Sequence, residues 1–141
     1  MKPILHWLYL LLLAVATCAQ SAVIGYPPNG YTVSPGASLT VQVQHPNSLT
    51  GSEEVAIVIG FQSCGANGCI SPSSYMGQIL YNGPFDPQYQ ESMTPPYENF
   101  TVQVPSSAAA GTALIGVVHI TLIGAGYYPY MEVLNTTLTV S

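Results

Sequence analysis

Beyond the N-terminal segment, the residues able to do chemistry are His45 and His119, Cys64 and Cys69, a few carboxylates and a set of tyrosines. A blue-copper-type centre needs a thiolate close in sequence to a histidine and a methionine. Here Cys64 precedes His119 by more than fifty residues. His119 is therefore expected to be a satisfied strand histidine, and His45, just before Pro46 and Asn47, a turn residue. Glycoside hydrolysis needs two carboxylates facing across a cleft. Asp86, Glu91 and Glu98 share one stretch of chain and read as solvated loop acids. Serines are plentiful, but none sits in a nucleophile elbow. These patterns assign no catalytic residue, no metal ligand and no cofactor.

The tyrosines are the stronger candidates. Tyr89 and Tyr97 lie in the proline-rich stretch Asn82 to Glu98, which also holds three of the six acids. Tyr127, Tyr128 and Tyr130 follow Gly124-Ala125-Gly126. An aromatic ring offers an apolar face to the C–H side of a sugar and a hydroxyl for hydrogen bonding. Asn82, Gln88 and Gln90 add further polar partners. The same composition also suits contact with a protein, because Tyr supplies area at low entropic cost. A packing role on the edge of the domain is the third reading.

Charge narrows the ligand. The chain has Lys+Arg 1, Asp+Glu 6 and a formal net charge of -5, with only 5% of residues charged. The single cation is Lys2. Binding nucleic acid, anionic lipid or a nucleotide phosphate relies on cations to replace counterions, and this chain has none to offer after residue 2. A neutral glycan requires no cation.

The elements that must position these residues are short strands. Leu39, Val41 and Val43 alternate with Thr40, Gln42 and Gln44; Phe100, Val102 and Val104 alternate with Thr101 and Gln103. Val55 to Phe61 and Ala113 to Ile123 are more continuously apolar, as central strands are. Met76 to Tyr81, Val133 to Val140 and the edge segments Val23 to Tyr26 and Tyr31 to Val33 complete the set. Turn residues separate them, among them Pro27-Pro28-Asn29-Gly30, Ser34-Pro35-Gly36 and Asn82-Gly83-Pro84. Ser106 to Ala110 has room for one helical turn before Gly111. This spacing predicts an all-β fold, an immunoglobulin-like antiparallel β-sandwich of about seven to eight strands, as one domain over residues 20–141.

Residues 1–19 have the layout of a secretory signal peptide: Met1-Lys2-Pro3, an apolar run from Ile4 to Val15, then small residues ending in Ala19. Removing them removes Cys18 and leaves Cys64 and Cys69, which an oxidising compartment would join in a disulfide. Asn99-Phe100-Thr101 and Asn135-Thr136-Thr137 are N-glycosylation acceptors. The C-terminal residues carry no lipid-anchor signal, so no membrane anchor is expected. With so few ion pairs available, stability is expected to change little between about pH 4 and pH 7.

Pro28-Asn29-Gly30, Thr32-Val33-Ser34-Pro35-Gly36 and Leu39-Thr40-Val41 resemble the opening of the Ig-like domain of the Ser/Thr-rich fungal cell-wall (β-glucan assembly) protein family. Phe100-Thr101-Val102-Gln103-Val104-Pro105, with Ala109-Ala110-Gly111-Thr112-Ala113, resembles that domain's closing hairpin. That family's Trp after the alternating strand is replaced by Val43 and Gln44, and its Ser/Thr-rich tail is missing. Small secreted fungal proteins are a closer likeness. The resemblance implies a fungal, secreted or cell-wall setting and brings no binding site with it. The expectation is a secreted, non-catalytic binding protein. Its partner is a cell-wall polysaccharide held by the tyrosines or, as the alternative, an extracellular protein met in effector-like fashion.

Overall fold

The computed structural model describes residues 21–141; residues 1–19, where a signal peptide is expected, lie outside them. Among the described residues there are eight strands and no helix: β1 (Val23–Tyr26), β2 (Tyr31–Val33), β3 (Ser38–Gln44), β4 (Ser52–Ser63), β5 (Gln78–Gly83), β6 (Tyr97–Gln103), β7 (Gly111–Ile123) and β8 (Tyr128–Val140). They form a three-stranded sheet in the order β1-β3-β6 and a five-stranded sheet in the order β2-β8-β7-β4-β5. Every strand expected from the alternation is present. The 106–110 segment is a turn, closed by the Ala108 amide donating to the Pro105 carbonyl.

Period-two patterning decides which side chains meet between the sheets. In β3, Leu39, Val41 and Val43 are buried while Thr40, Gln42 and Gln44 lie half-buried on the other face. Ile57 and Ile59 of β4, Ile115 and Val117 of β7 and Leu138 of β8 face them from the larger sheet. Each such side chain contributes about 1.5–3 kcal/mol by leaving water. Pairing is antiparallel except at one edge, where β2 runs parallel to β8 from Tyr31↔Leu138 to Val33↔Val140. The antiparallel pairing expected from the sequence holds between all the other strands, and this edge departs from it. A chain segment too short to cross back as a hairpin strand still satisfies its backbone groups on the free edge of β8.

Two loops are shorter than the sequence suggests. β7 and β8 form one long hairpin in which Ile123 pairs with Tyr128. The connection is therefore only residues 124–127, with Gly124 and Tyr127 in the left-handed region at φ 72 and 52. Tyr128 and Tyr130 belong to strand β8 rather than to a loop. The proline-rich loop covers residues 84–96, and Tyr97 opens β6. On the outer face of the larger sheet, residues 70–77 fold back over β4. Gln62 holds them there, its amide donating to the carbonyls of Ile70 (2.8 Å) and Tyr75 (3.1 Å) and its oxygen accepting from the Ile70 amide (3.0 Å). The Cys64–Cys69 disulfide staples the start of this segment.

Candidate functional site

The ends of β3, β5 and β7 and the starts of β4, β6 and β8 lie at one end of the sandwich, so three connections gather there: residues 45–51, 84–96 and 124–127. Several clefts open on this end, and two of them hold candidate side chains. The first, about 350 Å³, is lined by Thr50 to Glu53, Leu122, Gly124, Ala125 and Tyr127. The second, about 470 Å³, runs over His45, Asn47 and Glu54 to Asp86, Gln88 and Tyr89. Ser52 and Glu53 line both.

Beneath the second cleft lies a buried polar cluster. His119, on β7, is completely buried. Its Nε2 is hydrogen-bonded to Glu54 Oε2, and its Nδ1 stands 2.9 Å from Glu132 Oε1. The other Glu54 oxygen lies 2.5 Å from His45 Nδ1. Glu132 Oε1 also accepts the Ala22 amide at 2.6 Å, and the His45 backbone amide donates to the Pro96 carbonyl. Phe85 closes one side, its ring 5.4 Å from that of His119 and nearly perpendicular to it.

Local sequence explains how each group arrives. Glu132 meets His119 because they are direct cross-strand partners in the β7–β8 hairpin, both facing inward. Glu54 arrives through a β-bulge. Counting back by twos from buried Ile59 and Ile57 would turn Val55 inward and Glu54 outward. The register slips between Glu54 and Ala56, which leaves Val55 46% exposed and turns Glu54 toward the histidines. Leaving two buried imidazoles without a partner would cost more than exposing one valine.

Burial pushes the Glu54 carboxyl up, but the hydrogen bonds from His119 and His45, with their charges, outweigh it and hold the group at about 2. Burial pushes His119 down, and its hydrogen bonds to Glu132 and Glu54, with their charges, win and raise it to about 9. In neutral solution His119 is thus an imidazolium held between two carboxylates. His119 is the satisfied strand histidine expected from the sequence. His45 is packed onto the same carboxylate instead of standing in an open turn. His45, Glu54 and His119 each offer one ligand atom, all within 4.8 Å of one another, so these three could hold a metal ion.

The candidate tyrosines are divided. Tyr89 is 66% exposed at the second cleft, and its hydroxyl accepts a hydrogen bond from the Asn47 amide. Tyr127 is 58% exposed on the wall of the first cleft. Tyr128 is exposed beside it at the start of β8, and Tyr130 is half-buried further along. Tyr97 is buried, its backbone paired in both directions with Gln88, and offers no face to a ligand. Asp86 and Glu91 are exposed on the loop, and Glu98 anchors it by accepting the Asp86 amide at 2.7 Å. Asn99 and Asn135 are both exposed.

The sequence reading missed the cluster because its members come from four separate segments. The legible signal was the hairpin: closing it tightly after Gly124 sets Glu132 opposite His119 by counting alone.

No curated protein matches the sequence. Among solved structures, the chain is similar to a superoxide reductase (neelaredoxin) from Ignicoccus hospitalis, with a TM-score of 0.49 and 13% identity over 91% of this chain and 86% of that one. A family model matches residues 19–139, nearly the whole described structure, and by that match the chain belongs to the Nis1 family.

Proposed function

We propose that this protein is a secreted, non-catalytic binding protein that holds a neutral, hydroxyl-rich ligand, a cell-wall polysaccharide, at the loop end of the sandwich. The observation that carries this reading is the pair of adjoining clefts sharing Ser52 and Glu53, one flanked by exposed Tyr89 and the other by exposed Tyr127. Two exposed tyrosines share these clefts with residues bearing amide, hydroxyl and carboxylate groups, a composition that suits sugar rings and their hydroxyls. The scarcity of cations argues against anionic ligands, and the signal-peptide layout and the resemblance to fungal cell-wall domains support a secreted, fungal setting. Glycans on Asn99 and Asn135 belong to the same reading. So does an immunoglobulin-like assignment of the fold, supported by the packing of a three-stranded on a five-stranded sheet.

The test is retention of the purified protein on insoluble β-glucan, chitin and cellulose, beside a Tyr89→Ala/Tyr127→Ala variant. Retention on one polymer is expected, weakened about tenfold for each ring removed. No retention on any of the three would overturn the glycan reading.

One observation favours a protein partner instead. On the outer face of the larger sheet, Val58, Val118 and Val133 stand in register, next to Ile120 and to Met131, which is 63% exposed. A contiguous apolar sheet face of this kind is a feature of protein interaction surfaces.

A further inference from the structure

We propose that His45, Glu54 and His119 form a binding site for one divalent transition-metal ion of the zinc or copper kind, set in the floor of the second cleft. Two imidazole nitrogens and one carboxylate are a donor set suited to these ions and poor for calcium or magnesium, which favour all-oxygen shells. The geometry is close to assembled. Donors bound at about 2.1 Å to one ion stand at most about 4.2 Å apart, and the three here already lie within 4.8 Å of one another.

The surroundings are those of a metal centre. His119 presents Nε2 to the site, while its Nδ1 faces Glu132, which is itself fixed by the Ala22 amide. A carboxylate behind a histidine in this way sets the tautomer and orients the ring toward an ion. Phe85 and the sheet shield the inner side of the cluster. His45 and Glu54 line the cleft, so an ion has a route in and keeps its remaining coordination positions toward the loop-end opening. Binding would displace the proton shared between His119 Nε2 and Glu54 to solvent, leaving His119 neutral with its Nδ1 proton facing Glu132, and would replace the bonds that Glu54 makes to both imidazoles with bonds from all three groups to the metal. No oxidation or group transfer is involved.

The experiment uses purified protein stripped with a chelator and titrated calorimetrically with zinc chloride, in the absence of any polysaccharide, so its result is separate from that of the glycan test. One equivalent is expected to bind. His45→Ala should weaken binding by about 100-fold or more, and Glu132→Gln, which leaves all three ligands in place, by about 10–100-fold. His45 lies at the rim of the cluster and its removal leaves the Glu54–His119 bond in place, so the folded state of that variant is checked by circular dichroism. Cobalt(II) substitution of the unaltered protein supplies a readout independent of any variant. Strong visible absorption marks a low-coordinate site with nitrogen ligands, and the faint spectrum of the hydrated ion marks none. Absence of stoichiometric zinc binding, or binding unchanged in a folded His45→Ala protein, would overturn the proposal.

Discussion

At the scale of single residues, the cluster of two histidines and two glutamates holds the ion pairs seen among the described residues. Its titration sets a pH dependence for the metal-free protein, and the two limbs have opposite causes. Glu54 has a folded-state value of about 2, below the ordinary carboxylate value near 4.3. Its contribution is therefore complete above that ordinary value and is lost as pH falls toward 2. His119 has a folded-state value of about 9, above the ordinary imidazole value near 6.5. Its contribution is complete below pH 6.5 and is lost as pH rises through 9. The melting temperature is thus expected to be level between about pH 4.5 and 6.5 and to fall on both sides. The flat range expected from composition, about pH 4 to pH 7, narrows to that window, because the buried pairs add slopes that begin inside the expected range at both ends. Glu54→Gln should flatten the acid limb and lower stability by about 3 kcal/mol, because it leaves His119 with one carboxylate instead of two. Thermal unfolding at a series of pH values measures both effects. An acid limb unchanged in the variant would assign that slope to another group.

At the scale of elements, the bulge at Val55 and the turn at residues 124–127 place the chemistry. Strand identity was legible in the sequence because alternation is local: the Leu39-Val41-Val43 pattern needs no information from elsewhere in the chain. Alternation counted back from buried Ile59 and Ile57 would put Val55 inside the sheet, and local pattern cannot correct this, since a bulge answers to what its partner strand buries. The structure accordingly makes Val55 expendable and Ile57, two residues on, essential. Val55→Thr is expected to change stability by less than about 0.5 kcal/mol. Ile57→Ala should cost about 2–5 kcal/mol, because Ile57 is fully buried and its removal leaves a cavity. Chemical denaturation of the two variants separates these outcomes. A large loss at Val55 would mean that the bulge itself depends on that side chain. The tyrosines show the same limit. Their presence near turns was readable, but the division into exposed Tyr89 and Tyr127 and buried Tyr97 follows from how residues 84–96 fold down onto β6.

At the scale of the whole molecule, the near absence of cations shapes what the protein is expected to meet. With Lys+Arg 1 in the entire chain, its folding and its contacts should be nearly indifferent to salt. Raising ionic strength from about 0.05 M to about 0.5 M is expected to leave the melting temperature almost unchanged, since the ion pairs that matter are buried and poorly screened. Retention on heparin or on anionic vesicles should be absent, and binding to either would reveal a cationic surface that the composition does not supply. The sequence by itself determined the all-β class, a count of seven to eight strands and the cysteine pair, because each depends on composition or on contacts between near neighbours in the chain. Only the tertiary structure decided that His45, Glu54, His119 and Glu132 share one buried site beneath a tyrosine-flanked cleft. Glu54 and His119 are 65 residues apart. What joins them is the register of β4 against β7, and that register is set by the packing of whole sheets.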